Sequence, residues 1–240
     1  KMSSGASCAS RKAFALAISP GPIQAYPIVA GRAVIYGAHD HAVHAVDAQT
    51  GRRLWQVQPP GNRTVPPYEQ GIRASFDAAG GRLYFIDGRT VAHSVDLRSG
   101  RTIWSTQLDE EAARHMATSR HAPAVHGNRA VFGHAGYQPQ IACLDTRDGR
   151  ILWRFYTGNG SLWTSPAIDA EAGIVYNVTG DAKGVRAGDP ALYSESIIAQ
   201  DLESGELLWF DQIEAADPFN LDFSCHPILF EALGPNGARR

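Results

Sequence analysis

Four of the chain's five tryptophans end the same phrase, Asp, three residues, Gly, three residues, Trp, and such a repeat leaves few folds open. The copies are Asp47-Gly51-Trp55, Asp96-Gly100-Trp104, Asp145-Gly149-Trp153 and Asp201-Gly205-Trp209. Successive tryptophans stand 49, 49 and 56 residues apart. A period of that length, carried on apolar runs such as Val34-Ile35-Tyr36 and Leu83-Tyr84-Phe85, predicts a radial or solenoidal array of four-stranded units. In the first unit strands are expected at 26–29, 32–37, 44–47 and 53–57, with the phrase bridging the third and fourth. Gly51 supplies the positive φ of a tight hairpin, and Asp47 accepts bonds from the turn's backbone amides. The tryptophan on the fourth strand then wedges against the neighbouring unit, so that each repeat buries its face on the next.

The units span roughly 25–59, 75–107, 122–157 and 164–213, and a fifth begins at 223–230. Segments 60–73 and 108–120 read as connections, with one helical turn expected at 110–116. The last unit carries an insertion, 182–193, rich in Gly, Asp and Pro. Insertions in such arrays emerge on one face, which is often the binding face.

With 44% hydrophobic and 19% charged residues over 240, the chain can bury a large core. Its net charge of -2 argues against nucleic acid and anionic membrane, which call for a Lys/Arg-rich face. No run approaches the roughly 18 apolar residues of a membrane span. No charged head and apolar middle of a signal peptide opens the sequence, which is also how a mature exported chain reads. Cys8, Cys143 and Cys225 share no close spacing and offer neither a disulfide framework nor a metal knuckle. Cys143 reads as a small buried hydrophobe, and the residues around Cys8 lack the second Cys and the His of a c-type haem site. His39, His41 and His44 cluster within six residues; alternation splits them between two faces, so a wet turn rather than a zinc site is expected. No phosphate-cradling loop, nucleophile elbow or nucleotide fingerprint is present.

The stretch Ala45-Val-Asp-Ala-Gln-Thr-Gly-Arg-Arg-Leu-Trp55 resembles the tryptophan-docking repeat of the pyrroloquinoline quinone (PQQ) dehydrogenases and their non-catalytic propeller relatives. It implies an all-β fold, a β-propeller of quinoprotein type, with about four four-stranded blades and the start of a fifth. Three further segments are similar to the enzymes. The stretch from Gly160 through Trp163 to Gly180-Asp181 resembles the place where a Trp floors the flat quinone and a residue eighteen positions on holds calcium. Asp222-Phe-Ser-Cys-His-Pro-Ile-Leu-Phe230 resembles the segment near the catalytic aspartate in the polyvinyl-alcohol dehydrogenase branch. Gly71-Ile-Arg73-Ala resembles the place where an Arg reaches the quinone oxygens.

The resemblance thus implies Trp163, Arg73 and Thr118 at the cofactor, Asp181 on the metal, and Asp222 or its rival Asp217 as the base. PQQ and calcium are the cofactors so implied. A small alcohol is the implied substrate, cytochrome c the electron acceptor, and the periplasm or the exterior the location. The chemistry suits these residue types. An indole can hold a planar quinone while leaving its edge free, and carboxylate oxygens suit a hard cation. An aspartate can take a hydroxyl proton. Each residue also has a plain structural role open to it: Trp163 as core, Asp181 in a Thr-Gly turn, Asp222 as a cap, Arg73 on a solvated surface. Three departures count against a working site, and the first two favour the alternative, a non-catalytic propeller serving as an interaction or assembly platform. The third unit reads Gly133-His-Ala-Gly-Tyr-Gln-Pro-Gln140 where the enzymes place a calcium-binding Glu, no adjacent cysteine pair exists, and the enzymes close eight blades, so the chain is expected to be an N-terminal half that further chain or a partner completes.

Overall fold

The computed structural model describes residues 23, 25–59, 76–111, 121–135, 138–180, 191–215, 222–223 and 225–231. Sixteen strands in these segments form four separate four-stranded sheets. The first blade is β1 (Ile28–Ala30), β2 (Ala33–Gly37), β3 (Val43–Asp47) and β4 (Arg53–Val57), and the second is β5 (Asp77–Ala79), β6 (Arg82–Ile86), β7 (Val91–Asp96) and β8 (Thr102–Gln107). The third is β9 (Ala124–His126), β10 (Arg129–His134), β11 (Gln140–Asp145) and β12 (Ile151–Tyr156). The fourth is β13 (Ala167–Asp169), β14 (Ile174–Val178), β15 (Ser196–Asp201) and β16 (Leu207–Gln212). Every blade is an antiparallel meander in chain order. The short first strands β5, β9 and β13 adjoin one another, so they line the inside of the arc. Residues 222–223 and 225–231 carry no strand, and Glu110 and Glu111 form the described part of the expected helical turn.

The repeated phrase does its work twice. Within a blade, Asp47 Oδ1 accepts from the amides of Gln49 and Thr50 at 3.1 and 2.9 Å, and Gly51 turns the chain at φ 68°. Between blades, the indole Nε1 of Trp55, Trp104 and Trp153 donates to the carbonyls of Leu97, Thr146 and Leu202, each at 3.0 Å. Each acceptor directly follows the Asp of the next blade's phrase. Each ring also lies on that blade's turn glycine: a Cβ on Gly100, Gly149 or Gly205 would come within 2.7, 2.6 or 2.5 Å of the indole. The glycine is therefore required both for its positive φ and for the ring's approach. Apolar clusters between the blades complete the packing, such as Ile35, Trp55, Leu83 and Phe85 between the first and second.

The clustered histidines depart from the expected wet turn. His44 is buried, stacked on Tyr36 with ring centroids 5.1 Å apart, and its Nε2 meets Asp40 Oδ2 at 2.8 Å. Blade two repeats the device: His93, stacked on Phe85, bonds Asp87 and Ser105 at 3.1 and 2.9 Å. A buried imidazole needs partners for both nitrogens, and the strand-end aspartates supply one. Cys143 is buried as expected, and burial pushes its thiol up to about 12.

Candidate functional site

Antiparallel meanders send the loop after each second strand and the loop after each fourth strand to the same end of the blades. That end gathers 157–166, which follows β12, and the segments after β14 and β16. Thr157 pins the first of these: its Oγ1 donates to Pro139 O and Gly160 O at 3.0 and 2.6 Å. Gly160 must lack a side chain, because a Cβ there would sit 2.0 Å from Tyr193 O. The pinned loop delivers Trp163, half-buried, to the mouth of the fourth blade.

Gly180, which ends the run after β14, donates its N–H to Ser161 O at 2.7 Å and accepts from Glu195 N at 3.1 Å. A Cβ on Gly180 would lie 2.0 Å from Asp222 Oδ1 and 2.6 and 2.7 Å from Trp163 Cδ1 and Nε1. The carboxylate of Asp222 and the pyrrole edge of Trp163 thus meet over one bare stretch of backbone. Residues 163, 180 and 222 come from three separate segments, and the fold brings them to one point. Asp181, Asp217, Arg73 and Thr118 lie outside the described residues.

Two histidines near the third blade, His121 and His134, are buried. The ring of His121 and the Cδ1 of Leu162 flank Gly133, each within 3.3 Å of where a Cβ would be. His134, the last residue of β10, is fully buried, and neither ring nitrogen has a hydrogen-bond partner among the described residues. Desolvation pushes both histidines down to about 4, against the pull of Asp109 on His134, so both are neutral at pH 7. The signal was present in the sequence, since His134 falls in the segment singled out for lacking a Glu.

An indole beside a carboxylate is the pair of residue types that a flat aromatic cofactor calls for. Calcium is a different matter, because it takes six to eight oxygen ligands. Among the described residues no three of His, Cys, Asp and Glu gather so as to hold a metal. A buried imidazole at position 134 is a poor donor for a hard cation.

Four meandering blades locked by tryptophan docking, with an aromatic and a carboxylate meeting on the loop face, define a quinoprotein-type β-propeller. The chain belongs to the PQQ_2 family, described as outer membrane protein assembly factor BamB, whose profile matches residues 15–132 and 39–223. Among curated relatives, quinohemoprotein alcohol dehydrogenase ADH IIB of Pseudomonas putida is 26% identical over 222 residues, covering 74% of this chain and 32% of the relative. Polyvinylalcohol dehydrogenase of a Pseudomonas species is 22% identical over 251 residues, covering 91% and 39%. The chain therefore spans about a third of the length of these proteins. In structure it is similar to quinohemoprotein alcohol dehydrogenase from Comamonas testosteroni, with a TM-score of 0.78, 21% identity, and coverage of 92% of this chain and 39% of that one. BamB from Moraxella catarrhalis gives a TM-score of 0.52 at 16% identity, covering 80% and 65%. At these identities the structural likeness speaks for the fold. No helix among the described residues is long and apolar enough to cross a membrane.

Proposed function

We propose that this chain forms part of a PQQ-dependent alcohol dehydrogenase acting in the periplasm or outside the cell. The observation that carries the reading is the meeting of Trp163 and Asp222 over Gly180. PQQ, when bound, supplies the two-electron oxidant that a propeller's own side chains lack. In this reading the indole of Trp163 fixes the plane of the cofactor, and the hydrogen-bonded backbone at 160–161 and 179–180 fixes the indole. Asp222 accepts the proton of a small alcohol's hydroxyl at its carboxylate, placed at the edge of the ring where a substrate would lie. Asp217 is the competing base. Arg73 and Thr118 would bind the quinone's oxygens, and Asp181 would be the ligand for calcium or another hard cation. The electrons would pass on to a cytochrome c.

The second reading, an assembly or interaction platform without cofactor, is favoured by His134 and Gln140 framing the segment where the enzymes hold Glu. Titration separates the two. In protein carrying a complete ring, adding PQQ with calcium should quench indole fluorescence, and Trp163→Ala should remove the quench while far-UV circular dichroism stays unchanged. Wild-type protein that binds no PQQ with calcium, or with a lanthanide in its place, leaves the platform reading.

A further inference from the structure

The face opposite the loop site holds a cleft of about 610 Å³ between the first and second blades, lined by Ala33, Leu54, Trp55, Asp96, Leu97 and Arg98 among others. The chain's own repeat explains the cleft. In register, Ala33 pairs with Asp47 as Arg82 pairs with Asp96 and Arg129 with Asp145. Both arginines bridge to the following blade. Arg82 Nη1 donates to Thr146 O and, at 3.3 Å, to Arg147 O, while Arg129 Nη2 pairs with the Glu203 carboxylate. The first interface has alanine at this position, so no arginine of the strand itself fills this path, and among the described residues a cleft lies there. Its end point, the carbonyls of Leu97 and Arg98, matches Thr146 and Arg147.

The acceptors at that end point are in place. Among the described residues Leu97 O accepts one side-chain donor, the Trp55 indole N–H, and a carbonyl oxygen can accept a second. Asp96 Oδ1 is engaged by Ser99 N and Oγ at 2.8 and 2.5 Å, and the Arg98 amide also bonds this carboxylate, whereas no side chain among the described residues bonds Oδ2. In the two phrases where an arginine sits on the aspartate, Oδ2 is taken, by Arg32 at Asp47 and by Arg147 at Asp145. Ala30, Ala33, Leu54 and Leu97 give the approach an apolar wall. The two cations on the rim do not forbid a third. Arg32 is tied to Asp47, and Arg147 in the second interface coexists with an arriving Arg82.

We propose that this cleft binds a guanidinium on an apolar stem, either a free alkylguanidine or an arginine side chain of another polypeptide. The cation would take the place that Arg82 and Arg129 fill elsewhere, bonding the 97–98 carbonyls as Arg82 bonds those of 146 and 147, with an added bond to Asp96 Oδ2 and the stem along Ala33 and Leu54. A guanidinium suits such a site because its fork satisfies several acceptors at once. The volume lies within the range of small-ligand pockets.

The indole N–H resonance of Trp55, assigned through Trp55→Phe, reports on the cleft in the full chain. Butylguanidinium should shift it saturably and leave those of Trp104 and Trp153 in place. A tripeptide with a central arginine tests the polypeptide source; tighter binding of either ligand identifies the source and supports the site. Asp96→Asn, which keeps the Oδ1 acceptor, should weaken binding roughly tenfold, as for loss of a charged hydrogen-bond partner. Ala33→Arg should fill the cleft from within, abolish binding and raise the melting temperature, which shows that the variant folds. Undiminished binding by Ala33→Arg, equal shifts at all tryptophans, or saturable binding of hexanoate in place of butylguanidinium would overturn the proposal.

Discussion

Gly180, like Gly160, is a loop-face position that leaves no room for a side chain. An added methyl would have to displace Asp222 Oδ1, 2.0 Å away, and the indole of Trp163. Gly180→Ala should therefore move the carboxylate off the ring and abolish the cofactor-dependent quench, while the blades, which do not depend on it, keep their melting temperature within a few degrees. His121 and His134 bear on stability rather than on chemistry. Both are neutral when folded, held at about 4 by burial, whereas the unfolded chain titrates near 6.5. Between these values the unfolded state binds more protons, so stability is full above about pH 6.5 and falls as pH drops towards 4. Each histidine accounts for on the order of 3 kcal/mol across that window. Urea midpoints measured from pH 7.5 to 4 should fall steeply in wild type and flatten in the His121→Gln, His134→Gln double variant. An unchanged slope would show that the two imidazoles are solvated.

At the level of the blade, the four copies of one phrase are not equivalent. Trp55, Trp104 and Trp153 are 7–8% exposed, but Trp209 is 46% exposed. Replacing any of the first three by Ala removes a docked ring and its hydrogen bond, at a cost of about 3–5 kcal/mol. Trp209→Ala removes a ring that leans on Tyr176 and should cost about 1 kcal/mol, in line with an exposed position. Chemical denaturation of the four variants checks the contrast. The same repeat shows what a sequence displays and what it conceals. Docking needs an Asp, a Gly and a Trp at fixed local spacing, so blades and their period could be read directly, with first-strand bounds off by a residue or two. The Asp40–His44 and Asp87–His93 pairs are spaced by four and by six residues, so no common motif announces them. That Ala33 rather than Arg32 matches Arg82 becomes visible only once the strand register is known.

Taken whole, the molecule is an arc whose parts differ in how far they depend on distant chain. The meeting of residues 163, 180 and 222 could be anticipated only through resemblance, because radial placement of blades, rather than any local pattern, brings the loops together. The same radial logic bears on the arc's end. The outer strand of the fourth blade and the residue after it expose Leu208, Trp209, Phe210 and Ile213 at 48, 46, 38 and 63%. On the three preceding blades the same strand's tryptophan is covered by a neighbour's turn. Exposed apolar residues on both faces of a strand that is paired on one side only among the described residues are a template for association. The 240-residue chain should therefore self-associate or bind hydrophobic dye, and sedimentation should show a weight-average mass that rises with concentration. Leu208→Lys with Trp209→Glu should return it to a single species, because charges on an exposed edge oppose pairing without entering any blade core. A wild-type chain that stays monomeric on concentration and binds no dye would mean that this face is covered in solution.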